Sequence, residues 1–118
     1  MTVHNIETVD GFKEAIRSHD VVMVDWFATW CGPCKAIAPM VAKWSNENTD
    51  IYFIKVDVDN LPELSQEYSI RAMPTFTFFK DGEKVDEFVG ANPAALQKLV
   101  VKHKPAADEA AAEKTETA

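Results

Sequence analysis

Trp30-Cys31-Gly32-Pro33-Cys34-Lys35 is the stretch on which the reading of this chain turns, because it holds the only two cysteines in the sequence. Directly before it runs Val21-Val22-Met23-Val24-Asp25-Trp26-Phe27, apolar enough for a strand buried on both faces. Directly after it, Ile37, Met40, Val41 and Trp44 recur at i, i+3, i+4 and i+7, the spacing of one helix face. The two thiols therefore stand where a strand turns into a helix. That position is expected to expose Cys31 at the helix N-terminus and to put Cys34 one turn inside.

The spacing favours chemistry over stapling. Residues three apart on a helix have Cβ atoms roughly 5–6 Å apart, and a disulfide bridges Cα atoms about 4.4–6.8 Å apart. The pair can close and reopen with little movement. Closing a four-residue loop removes only ~2 kcal/mol of chain entropy, against ~4.7 kcal/mol for a 100-residue loop. At the helix edge, unpaired N–H groups and the helix dipole favour the Cys31 thiolate, the attacking species in disulfide exchange. Pro33 suits a first helical turn, where its missing N–H costs nothing, and Gly32 lets another backbone come close. The rival reading is half of a metal site. Structural zinc wants four ligands, and neither a second cysteine pair nor a paired-histidine cluster is present, with His4, His19 and His103 far apart in sequence. They read as surface or helix-end residues.

Outward from this centre the elements follow in order. A short strand over about Val3 to Glu7 precedes a helix capped by Thr8 or Asp10, with Val9, Phe12 and Ile16 as its buried stripe. The strand Val21–Phe27 comes next, then a helix from near Cys34 towards Asn48 with Pro39 inside it, where a kink is expected. Residues Ile51 to Val56 read as a second buried strand ending in the acidic loop Asp57-Val58-Asp59. Asn60 and Pro62 open a short helix with Leu61, Leu64 and Tyr68 on one side. Thr75–Phe79 and Val85–Val89 flank Lys80-Asp81-Gly82-Glu83, a hairpin turn signal. Asn92-Pro93 reads as N-cap and first position of a last helix with Leu96, Leu99, Val100 and His103 along its stripe. The order β-α-β-α-β-α-β-β-α demands parallel strands joined by right-handed crossovers plus a closing antiparallel hairpin. The fold class is α/β, a mixed five-stranded sheet with four helices on both faces.

Composition sets the bounds. A length of 118 residues suits one domain with a real core. An apolar fraction of 47% with 26% charged residues is ordinary for a globular chain. A net charge of −7 argues against nucleic acid and anionic membrane as partners, since both need basic surface. No run reaches the ~18 apolar residues of a membrane span. Residues 1–104 read as the domain. Residues 105–118 differ in kind: six of the fourteen are alanine, none is Val, Leu, Ile or aromatic, and the stretch reads as an acidic, solvated tail. The start Met1-Thr2-Val3-His4-Asn5 shows neither a basic nor an apolar leader region, and one close cysteine pair is no extracellular framework. The expected compartment is the cytoplasm.

Trp-Cys-Gly-Pro-Cys-Lys after an apolar strand resembles the active site of the thioredoxin family, and the element order over residues 1–104 matches its fold. The resemblance implies a protein-disulfide reductase with no bound cofactor, a monomer re-reduced by an NADPH-dependent, flavin-containing thioredoxin reductase. Its clients would be disulfide-containing proteins. Cys31 would attack and Cys34 resolve. Asp25, six residues before Cys31, is costly among Val22, Met23, Val24, Trp26 and Phe27 unless protonated or paired. Burial should raise its pKa. The bland reading is a polar residue at a strand end; the resemblance implies a proton relay to Cys34. Lys55 reads either as its cationic partner or as an exposed strand lysine. Pro74 opens a strand, where proline is tolerated on structural grounds; the resemblance implies a cis bond after Met73, whose backbone would receive an extended client segment. Trp30, Gly32, Pro33, Gly90 and Ala91 would complete an apolar docking rim. Trp26-Phe27 departs from the family, many of whose members have Phe-Trp or Phe-Phe, and is expected to change packing and fluorescence but not thiol chemistry.

Two other classes stay open at this level. One is a disulfide oxidant or isomerase of the secretory path, against which Gly-Pro between the cysteines speaks, since such proteins usually carry a histidine there. The other is a binding subunit that uses the same surface without redox turnover.

Overall fold

The computed structural model describes residues 3–105. Five strands, β1 (Val3–Ile6), β2 (Val21–Phe27), β3 (Tyr52–Asp57), β4 (Thr75–Lys80) and β5 (Glu83–Val89), alternate with four helices. The helices are α1 (Val9–Ser18), α2 (Gly32–Glu47), α3 (Pro62–Glu67) and α4 (Pro93–His103). The sheet order is β1-β3-β2-β4-β5. Strands β1, β3 and β2 run parallel, and β4 and β5 close the sheet as antiparallel neighbours. The expected mixed five-stranded sheet is therefore present, and β2 is its middle strand.

Alternation along β2 divides the core. Val22, Val24 and Trp26 point into a cluster with Phe12 and Ile16 of α1 and Leu64 of α3. Val21 and Met23 point the other way, into a cluster with Ile37, Val41 and Trp44 of α2 and Leu96 and Val100 of α4. Side chains two apart on a strand share a face, so Asp25 belongs to the α2 side. Trp26 is wholly buried on the opposite side, where its indole N–H donates to Thr77 Oγ1 at 2.9 Å.

Local signals account for most boundaries. Thr8 caps α1, its hydroxyl oxygen accepting from the Gly11 N–H at 2.9 Å, and Asn92 caps α4 by accepting from the Ala95 N–H at 3.2 Å. Asp81 and Gly82 both have positive φ, 52° and 84°, as a two-residue hairpin with primed turn geometry requires. Several expectations need correction. Strand β3 starts at Tyr52 rather than Ile51, and Lys55 within it is only half-buried. Leu61, not Asn60, is the cap residue of α3, and it makes no side-chain cap bond. Strand β5 begins at Glu83, and a bulge between Phe78 and Phe79 in its pairing with β4 leaves Val85 48% exposed. His4 and His19, far apart in sequence, each stack on the Tyr52 ring, with centroids 4.6 and 3.6 Å away; the pairing of β1 with β3 brings His4 there, and His19 comes from the C-cap of α1. The acidic tail, apart from Pro105, lies outside the described residues.

Candidate active site

Strand β2 ends at Phe27, and the chain turns at Ala28, whose carbonyl accepts from the Cys31 N–H at 3.1 Å. Cys31 is the N-cap of α2 in an extended conformation, and Pro33 lies in the first turn. The Cys31 sulfur accepts from the Cys34 N–H at 3.1 Å, so the helix supplies a donor to this sulfur. Cys31 and Cys34 form a disulfide with Cα atoms 5.3 Å apart. Both are buried, at 4% and 5% exposure, which corrects the expectation of an exposed Cys31. In the disulfide the sulfurs cluster with Ala28 and are flanked by Phe27, Val58 and Met73. Among the described residues, no group of three or more His, Cys, Asp or Glu side chains could hold a metal ion.

Asp25 lies on the α2 face, 6% exposed, and its Oδ1 is buried without a hydrogen-bond partner. Burial pushes its carboxyl up to about 7, against a smaller downward pull from the Lys55 charge. Lys55 is the residue opposite Asp25 in the β2–β3 register. Its ammonium nitrogen lies 5.6 Å from the centroid of the Phe27 ring. Asp25, Cys34 and Lys55 line one cavity of about 260 Å³ together with Phe27, Ala28, Thr29, Lys35 and Ala38. A carboxyl whose pKa is raised to about 7 thus lines the same small cavity as the inner cysteine.

The residues expected at a rim fall in several places around the cysteine pair. Trp30 stands 67% exposed beside Cys31, and its indole N–H donates to Asp59 Oδ2 at 2.9 Å. The Met73–Pro74 bond is cis, and Met73 packs on the cysteine cluster. The Pro74 carbonyl accepts from the Gly90 N–H at 2.9 Å, which ties the proline loop to the end of β5. Gly90 has φ of 115°, a conformation that favours glycine, and a Cβ at Gly32 would meet no atom within 4 Å. Ala91 packs instead against the α2–α4 core cluster. Two residues escaped the sequence reading. Asp59 stands 29 positions from Trp30, and only the adjacency of the β2 and β3 ends brings them together. Phe27 reads as core from its strand alone.

A dithiol–disulfide pair at a helix N-terminus, over a buried carboxyl and after the central strand of a mixed sheet, defines a thiol–disulfide oxidoreductase site. The thioredoxin family model matches residues 3–102. A thioredoxin-2 of Pyricularia oryzae is 59% identical over 105 residues, which cover 89% of this chain and 61% of that protein. Thioredoxin-1 of Schizosaccharomyces pombe is 50% identical over 80% of this chain and 92% of its own. The solved structure of Plasmodium falciparum thioredoxin superposes with a TM-score of 0.84 at 42% identity, over 86% of this chain and 99% of that one. The chain belongs to the thioredoxin family, a family of thiol–disulfide oxidoreductases.

Proposed function

We propose that this chain is a protein-disulfide reductase in which Cys31 attacks and Cys34 resolves. The observation that carries the reading is the Cys31 sulfur at the N-terminus of α2, accepting a backbone N–H, with Cys34 and Asp25 on one cavity beneath it. In the reduced protein the Cys31 thiolate attacks one sulfur of a client disulfide. A Cys31–client bond forms, and the other client sulfur leaves as a thiolate. Cys34 then gives up its proton to the Asp25 carboxylate and attacks the Cys31 sulfur. The mixed disulfide breaks, the second client sulfur departs, and Cys31–Cys34 is left oxidised. Two electrons have passed to the client.

Trp30, Gly32, Pro33, Met73, Pro74, Gly90 and Ala91 form the client rim in this reading. Exposure of Trp30 and open space at Gly32 and Gly90 support it. Met73 and Ala91 would offer backbone groups to an extended client segment. Two electrons per cycle would return from a flavin-containing, NADPH-dependent thioredoxin reductase. Because the dithiol must be re-reduced, the compartment proposed is the cytoplasm, with the chain acting as a monomer from residues 1–104.

The test is reduction of insulin disulfides with dithiothreitol as electron source. Cys31→Ser should abolish turnover. Cys34→Ser should attack but accumulate mixed disulfides, visible as non-reducing gel shifts. Trapping by Cys31→Ser instead would reverse the two roles, and a native protein that reduced insulin no faster than the double serine variant would leave only a binding function.

A further inference from the structure

Phe27 closes β2, two residues past Asp25 and on the same face of the sheet. Lys55 stands opposite Asp25 on β3 and diagonal to Phe27, whose own register partner is Asp57. The Lys55 ammonium lies 5.6 Å from the Phe27 ring centroid, inside the roughly 6 Å reach of a cation–π contact. The same ring packs against the cysteine cluster, and Phe27, Lys55, Asp25 and Cys34 line one cavity. A lysine head on its flexible four-carbon stem is strongly drawn to water. Here an aromatic face is available to hold it over the cavity.

We propose that Phe27 is a positioning residue for the dithiol chemistry: its ring holds the Lys55 ammonium where that charge bears on the Asp25 carboxylate beside Cys34. The proposal rests on the reading of Asp25 as the proton acceptor of Cys34. Other charges facing this cavity are few. Lys35 of α2 also lines it, and Asp57 continues the same face of β3 with its Oδ1 already accepting the Asp59 N–H at 2.9 Å. Strand β4 presents Phe76 opposite Asp25, and β1 presents Asn5 opposite Lys55, with Glu7 just beyond the strand. Lys55 is the charge that counters burial at Asp25. Freed from the ring, its head would spend more time in water and oppose that burial less.

The experiment is a carboxyl-carbon NMR titration of Asp25 in the oxidised protein. Phe27→Leu and the near-isosteric Phe27→Met should each raise its midpoint by roughly half a pH unit, whereas Phe27→Tyr should keep the native value. Lys55→Met should raise it at least as far, and adding Phe27→Leu to Lys55→Met should change nothing more. An upward shift of the same size that persists without Lys55 would overturn the proposal, since the ring would then act by excluding water. No shift, or a downward one, in both Phe27→Leu and Phe27→Met would overturn it as well. The pH profile of mixed-disulfide resolution should move with the midpoint. A moved midpoint with an unmoved profile would overturn the proton role of Asp25, and with it the catalytic consequence of Phe27, while its hold on Lys55 stood.

Discussion

Asp25 costs the folded protein free energy, and the sign of that cost can be worked out. Its carboxyl titrates near 3.8 when exposed and near 7 when folded. The folded state therefore keeps a proton that the unfolded state has already released. Stability falls as pH rises through this window, and above about pH 7 the penalty is complete, roughly 4 kcal/mol at ~1.4 kcal/mol per unit. Asp25→Asn should stabilise the oxidised protein at pH 8. The amide would itself lack a partner, which returns part of the gain and leaves about 1–3 kcal/mol. At pH 4 the advantage should shrink towards zero. Urea denaturation at the two pH values checks this, and an equal effect at both would mean that Asp25 is not buried as a neutral acid. The same substitution should slow resolution of mixed disulfides.

The pairing of α4 with β5 shows the opposite sign. Asp86 Oδ2 takes a 2.9 Å contact from His103 Nε2 and a 3.5 Å one from Lys102, while Oδ1 accepts the Glu87 N–H at 2.9 Å. The His103 contact, above all, holds the Asp86 carboxyl below its ordinary value. The His103 ring also stacks on Phe78, with centroids 4.8 Å apart. A lowered carboxyl stabilises above its unfolded pKa and stops doing so as pH falls through its folded one. Asp86→Ala should therefore cost roughly 0.5–1 kcal/mol at pH 7, a modest figure because the site is partly open to solvent. In strong acid the melting temperatures of variant and parent should converge. This latch was only half legible in the sequence. His103 could be placed on the α4 stripe by its spacing, but its partner depends on where the β4–β5 bulge leaves Asp86. Strand β2 and the α2 entry could be read closely, since unbroken apolar residues, Pro33 and the cysteine spacing all bear on adjacent positions. Asp25 could be singled out because a charge in such a run needs a reason. The Trp30–Asp59 bond and the His4–Tyr52–His19 stack could not, because each depends on which strands lie side by side.

Over the whole molecule, the sheet separates two apolar clusters, each fed by β2, β3 and β4, and the reactive turn hangs from β2, the middle one of the five strands. Strand β2 has β3 on one side and β4 on the other, whereas β1 and β5 are the edge strands among the described residues. Val21 to Trp26 are all buried. Opening α4 or peeling β5 away leaves β2 paired to β3 and roofed by α2. Protection against amide hydrogen exchange should follow this layout. The Val22–Trp26 amides should exchange only through global unfolding, and those of β5 by cheaper local openings, with free energies well below the global value. Exchange of β2 at the rate of β5 would contradict it. The cysteine pair is thus anchored to the strand expected to exchange slowest, so partial openings of its surroundings should come and go without taking the redox centre apart.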